Sequence, residues 1–170
     1  GTQFAIDGGF DYVLFMDSDL TNHPRYLKLF YEKMVEGWAY IKASRFLPAR
    51  GVIGVSLPKR FISFIGNQVA RVLYGLPIHD YTNGFRAVRT DLLQQMRLTE
   101  RGFAVIMEEL CEAKRLAATF CEIPYTLTSR GPEDGRSHLS YGFRTWRKYF
   151  THARNASRIP YRAPERMRNT

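Results

Sequence analysis

Cysteine is scarce in this sequence. Cys111 and Cys121 are the only two, ten residues apart, and neither has a Cys or His partner at metal-ligand spacing. That excludes a disulfide-stapled miniprotein, and the two thiols read as reduced core residues. No apolar run reaches the roughly 18 residues that a membrane-spanning helix needs. There is no charged-then-apolar leader and no initiator Met, since the chain starts at Gly1, so a fragment or processed chain is expected. Acids are nearly missing from the C-terminal end. From Arg136 to Thr170 nine basic residues accompany one acid, Glu165, whereas residues 1–135 carry sixteen basic and fifteen acidic residues. The body is electrically balanced and the tail, residues 151–170 in particular, is cationic. Such a tail suits anionic lipid, nucleic acid or an acidic partner, or is simply solvated. What the sequence does have is a core. Its 170 residues are 45% apolar and 14% aromatic, which excludes a disordered chain and sets one domain as the expectation.

Hydrophobic patterning alternates between strand and helix. A helix over residues 2–9 closes at Gly8-Gly9. Tyr12 to Met16 is a continuous apolar run of strand length, expected to be covered on both faces. His23-Pro24 opens a helix that runs to about Gly37, and Tyr40 to Phe46 reads as a second strand. After a Pro- and Gly-bearing loop, Phe61 to Leu73 has helical periodicity strong enough for either core packing or a bilayer surface. Pro77 to Asn83 is a turn region, Phe85 to Val88 a short strand and Asp91 to Met96 a short helix. Phe103 to Ala117 is an amphipathic helix. Thr119 to Thr128 is a strand interrupted by Pro124, hence near an edge or an end. A polar loop over Ser129 to Ser140 precedes a basic, aromatic-bearing helix from Tyr141 to about Ala156. The alternation predicts an α/β layered fold.

Polar residues cluster where strands end. Asp17-Ser18-Asp19 directly follows a strand, where ligands of open α/β sheets bind. Two carboxylates one residue apart can hold a hard divalent cation. The alternative is a helix cap, with Asp19 or Thr21 serving the helix that Pro24 begins. Arg45 ends the second strand, as a guanidinium aimed at a phosphate or as a surface residue. His79 to Arg86 packs an acid, a hydroxyl, an amide, a glycine and a cation into eight residues, a site or a turn into a strand. Glu108 interrupts an apolar helix face, while Glu109 reads as exposed. Glu122 is a carboxylate within an edge strand or an ordinary surface acid. Arg130, Arg136, Ser137 and His138 lie in a Gly-bearing loop, able to meet an anion or to be solvated.

Taken in order, Asp17-Ser18-Asp19, Ala43-Ser44-Arg45, Asp80-Tyr81-Thr82-Asn83-Gly84-Phe85-Arg86, Glu108, Glu122-Ile123-Pro124 and Gly135-Arg136-Ser137-His138-Leu139 resemble the dolichol-phosphate mannose synthases and related polyprenyl-phosphate glycosyltransferases of glycosyltransferase family 2. The resemblance runs from about residue 8 to about residue 150. It implies the GT-A, Rossmann-like fold of nucleotide-diphospho-sugar transferases. Residues 1–150 would be the C-terminal portion of that single catalytic domain and 151–170 a basic tail. The family's first strand and base-binding loop have no counterpart here. An exposed apolar sheet edge or face is therefore expected where they would pack.

The resemblance also implies roles. Asp17 and Asp19 match the motif that holds Mg²⁺ or Mn²⁺ on the diphosphate of a nucleotide-sugar donor of GDP-mannose or UDP-glucose type. Arg45 matches a strand-end arginine close to that site. Leu47 to Pro58 matches a mobile acceptor loop, and Lys59, Arg60 and Ser63 begin the helix after it. Asp80, Thr82 and Arg86 match the acceptor-side cluster for a dolichyl or undecaprenyl phosphate. Arg130, Arg136, Ser137 and His138 match the loop that closes over phosphates. Two positions depart from the family pattern: His138 stands where a Lys is usual, and Thr21 where some relatives carry a Gln ligand. The Gln-x-x-Arg-Trp motif of processive polysaccharide synthases is absent. The implied protein sits peripherally on the cytoplasmic face of a membrane and has no nucleic-acid partner. A different donor or acceptor in the same superfamily, an inactive fragment, and a basic nucleic-acid- or lipid-binding module are the alternatives.

Overall fold

The computed structural model describes residues 1–18, 21–47, 57–127, 143–162 and 164. Four strands form one mixed sheet in the order β1 (Tyr12–Phe15), β3 (Arg86–Arg89), β2 (Tyr40–Ser44) and β4 (Phe120–Pro124). β2 and β4 are parallel, whereas β3 is antiparallel to both β1 and β2, so β1, β2 and β4 all run one way. The expected α/β layering is present. The reversed strand β3 in mid-sheet is not visible in the hydrophobic pattern, because pairing direction leaves no mark on an apolar run.

Strand alternation sends two sets of side chains to two faces. Val13, Tyr40, Val88 and Phe120 pack on one face with residues of α3 (Leu57–Tyr74), α5 (Val105–Arg115) and α6 (Phe143–Ser157). Leu14, Ile41, Ala87 and Ile123 pack on the other with Phe30 of α2 (Leu27–Val35), Tyr26, Phe85 and Tyr125. The helices α1 (Thr2–Asp7) and α4 (Thr90–Gln95) complete the described elements. The N-cap of the Pro24 turn is His23. The ring Nδ1 of His23 accepts the Arg25 N–H at 3.1 Å, and Pro24 takes the first position of a short 3-10 turn. Pro124 is the last residue of β4, an outer strand, as its missing N–H requires.

Two expectations change. Tyr12 to Met16 is not covered on both faces: β1 is an outer strand, half-buried along its length, and Met16 beyond it is exposed. Phe4 and Phe10 nearby are also exposed, so apolar side chains stand open at this side of the sheet. The helix expected over residues 61–73 starts earlier, at Leu57, with Pro58 in its first turn. Its periodicity serves two surfaces. Ala70 and Tyr74 enter the core, while Phe61, Ile62, Phe64, Ile65 and Val69 stand exposed. No described helix is long and apolar enough to cross a membrane.

Candidate active site

The carboxyl ends of β1, β2 and β4 and the amino end of β3 open on one edge of the sheet. Residues far apart in sequence gather there because the strands bring them. Arg45 follows β2, and the turn that begins at Asp80 leads into β3. The Arg45 guanidinium grips the Asp80 carboxylate with two prongs, Nε to Oδ2 at 2.7 Å and Nη2 to Oδ1 at 2.9 Å. The Arg45 N–H adds a third bond to Oδ2 at 3.1 Å, and the Asn83 N–H a fourth to Oδ1 at 3.1 Å. Asp80 is fully buried. Burial pushes its carboxyl up, but the Arg45 charge and hydrogen bonds prevail and hold it below its ordinary value.

The turn is stitched to its surroundings on three sides. Asn83 Nδ2 donates to the Ala43 carbonyl of β2 at 2.8 Å, and Asn83 Oδ1 accepts the Phe85 N–H. Asn67 of α3 accepts the Tyr81 N–H at 2.7 Å and donates to Thr82 Oγ1 and the Ser63 carbonyl. Glu122 of β4 accepts the N–H groups of His79 and Asp80, both at 2.9 Å, and its other oxygen meets His79 Nδ1 at 2.7 Å. Arg45 Nη2 also donates to Thr82 Oγ1 at 2.9 Å. Arg45, Asp80 and Thr82 therefore form one unit with fixed geometry.

A charged layer lies under that unit. Phe15, Arg86, Lys42 and Glu122 are register partners in a row across all four strands. Arg86 is gripped by Glu109 of α5, with Nε and Nη2 each 2.5 Å from a carboxylate oxygen, and its guanidinium lies over the Phe15 ring at 4.1 Å. Its Nη1 donates to the Gly84 carbonyl. Tyr40 donates its hydroxyl to Glu109 Oε2 at 3.1 Å. The Lys42 ammonium, wholly buried, donates to the Asn83 carbonyl at 2.5 Å.

The described residues place the expected site as follows. Arg45, Asp80 and Thr82 come together. Arg86 sits below them as the partner of Glu109, its side chain only 6% exposed. Ser63 lies beside Thr82 through Asn67, while Arg60 is exposed at the start of α3. Asp17 is exposed just beyond the carboxyl end of β1. Asp19, Arg130, Arg136, Ser137 and His138, with most of the Leu47 to Pro58 loop, lie outside the described residues. Among the described residues no group of three or more His, Cys, Asp or Glu side chains is placed to hold a metal.

Three residues escape the sequence reading. Glu109 is buried rather than exposed, at 2%. Ile106 and Ala113, three before and four after it, mark its side of the helix as the core stripe. Lys42 shares a strand face with Tyr40 and lies between the apolar Ile41 and Ala43, a pattern that points to a buried cation. Asn67 leaves no such signal. Glu108, by contrast, is not at the site. It accepts the Thr99 and Glu100 N–H groups and the Thr99 hydroxyl, and so ties down the turn before α5.

Beside Arg45, Ser63 and Thr82 opens a groove of about 390 Å³ between α3 and α6. Ile62, Val69, Leu73, Trp146 and Phe150 give it apolar walls. The sheet edge and the groove together define an α/β protein in which a polar cluster borders an apolar groove. Comparison with known proteins narrows the class. No family model matches, but the chain is similar to polyprenyl-phosphate mannosyltransferases. It is 28% identical over 145 residues to the undecaprenyl-phosphate mannosyltransferase of Micrococcus luteus, covering 84% of this chain and 58% of that one. It is 27% identical over 143 residues to the polyprenol monophosphomannose synthase of Mycolicibacterium smegmatis, covering 82% and 53%. The chain thus spans little more than half the length of these curated relatives.

Proposed function

We propose that this chain is the acceptor-side portion of a GT-A glycosyltransferase that moves a hexose, in the first instance mannose, from a nucleotide-diphosphate sugar to a polyprenyl phosphate. The observation that carries the reading is the groove: apolar walls for an isoprenoid, with Arg45, Ser63 and Thr82 in its lining to meet the phosphate. The names of the two relatives point the same way.

The chemistry follows from the acceptor. A phosphate monoester has a second pKa of about 6, so near neutral pH it is already a dianionic nucleophile and needs no general base. Asp80 fits that economy. Enclosed and fully hydrogen-bonded, it aims the Arg45 guanidinium instead of taking a proton. Arg86 supports the same turn from below through the Gly84 carbonyl. Arg60 and Ser63 on α3, together with Arg130, Arg136, Ser137 and His138, complete the phosphate contacts in this reading. Asp17 and Asp19 would hold Mg²⁺ or Mn²⁺. Asp17, an exposed carboxylate at the ligand-binding edge, is a suitable hard oxygen donor for either ion. Such an ion would supply positive charge to the leaving diphosphate. The exposed face of α3 lies against the membrane that carries the acceptor, peripherally and on its cytoplasmic side.

The test is binding by the chain and transfer by the protein that contains it. Farnesyl phosphate should bind more tightly than farnesol or inorganic phosphate, and Arg45→Ala should remove the difference. Mannose from GDP-mannose should pass to polyprenyl phosphate. Equal binding of farnesol and farnesyl phosphate would sink the acceptor assignment.

A further inference from the structure

The charged layer under the acceptor cluster contains one group that the reaction does not use, Lys42. We infer that Lys42 is a positioning residue that couples phosphate binding at Arg45 and Thr82 to the uptake of one proton. The inference rests on the acceptor site proposed above and gives that site a pH dependence.

Lys42 is fully buried on β2, three residues before Arg45, and its ammonium donates to the carbonyl of Asn83. Asn83 is the residue whose N–H binds Asp80 and whose amide binds Ala43. Lys42 therefore braces the turn that carries Asp80 and Thr82, and its charge sits directly behind the Arg45–Asp80 pair. Most of the packed elements set a charged group against this interior. Asp80 comes from the turn, Arg45 from the end of β2, Arg86 from β3, Glu109 from α5 and Glu122 from β4; α3 contributes the neutral Asn67.

The charge count then decides the direction. Leaving aside His79, the exposed partner of Glu122, three cations (Lys42, Arg45, Arg86) balance three carboxylates (Asp80, Glu109, Glu122) when Lys42 is protonated. With Lys42 neutral the cluster is one charge negative, which opposes an incoming phosphate. Burial favours that neutral state and lowers the Lys42 ammonium to about 7, with Arg86 and Arg45 adding to the effect and Asp80 and Glu109 resisting it. An anion at Arg45 and Thr82 acts with the carboxylates. It favours the charged ammonium, and by linkage the charged ammonium favours the anion. Phosphate affinity should fall as pH rises from 7 to 9, where the phosphate itself stays dianionic.

The experiment follows the Lys42 ε-methylene resonance by NMR in the full chain, assigned by its loss in K42M. In the free protein it should titrate near neutrality. Saturation with farnesyl phosphate should raise the midpoint by about one pH unit, equivalent to roughly ten-fold tighter binding to the charged form. Calorimetry from pH 7 to 9 should show proton uptake and weakening affinity in wild type, and flat affinity in K42M. Should K42M fail to fold, through-bond assignment in wild type leaves the midpoint measurement intact. A free midpoint near 10, an unmoved midpoint in the bound protein, or the same pH profile in both proteins overturns the inference while leaving the acceptor site in place. Absence of farnesyl phosphate binding in both proteins at every pH overturns the acceptor site itself and takes the inference with it.

Discussion

Arg45 and Asp80, thirty-five residues apart, meet in a two-pronged ion pair in which the acid is fully buried and the base reaches the lining of an apolar groove. The pair converts a carboxylate that never touches solvent into a device for aiming a cation that does.

That arrangement has a stability signature. The Asp80 carboxyl is held below its ordinary value of 3.8, so its contribution is complete above that pH and is lost as pH falls through the folded-state value. Asp80→Asn leaves the Arg45 guanidinium without its counter-charge. It should cost about 3–5 kcal/mol at pH 6. Urea melts of the two proteins should converge as pH drops below 3.8 toward the folded value, because wild-type Asp80 then loses its charge as well.

Lys42 works in the opposite sense. Its ammonium falls from 10.5 to about 7 on folding, so the fold is penalised for burying the charge below pH 7 and the penalty disappears as pH rises toward 10.5. Lys42→Met keeps the volume and removes the charge. Its melting temperature should exceed that of wild type most at pH 6 and least at pH 10. A constant difference across that range would show that Lys42 does not change its charge on folding.

Gly66 sits where α3 faces Trp146 across the groove. A Cβ there would lie 3.5 Å from the Trp146 ring, an ordinary contact. Gly66→Ala should therefore be accepted and should raise stability by up to about 1 kcal/mol through helix propensity. Gly66→Leu should fill the groove, lowering farnesyl phosphate affinity at least ten-fold while leaving the circular dichroism spectrum unchanged.

Asp17→Asn tests the metal proposal in the transferase reaction. Loss of a group that stabilises charge on the leaving diphosphate should lower kcat by two to three decades, about 3–4 kcal/mol. Acceptor binding, which depends on the other side of the cleft, should be unchanged. Comparable loss of farnesyl phosphate affinity would place Asp17 in the acceptor site instead.

The sequence by itself determined the elements and pointed to the cluster of Arg45, Asp80 and Thr82. The apolar run at residues 12–16, the strand read over 40–46 and the 3.6-residue spacing after Phe61 are local signals, and each became the expected strand or helix within a few residues. Arg45, Asp80 and Thr82 were legible because a strand end and a Gly- and Asn-rich turn are where polar chemistry collects. The tertiary structure decided what those residues do. Only strand pairing could insert β3 in reverse between β1 and β2 and so place the Asp80 turn against Arg45. Only helix packing could bring Glu109 and Asn67 onto that turn, and α6 against α3 to form the groove. Burial and charge pairing depend on neighbours distant in the chain. A pattern read a few residues at a time therefore took Glu109 for a surface acid and passed over Lys42, although these two carry much of the charge beneath the site.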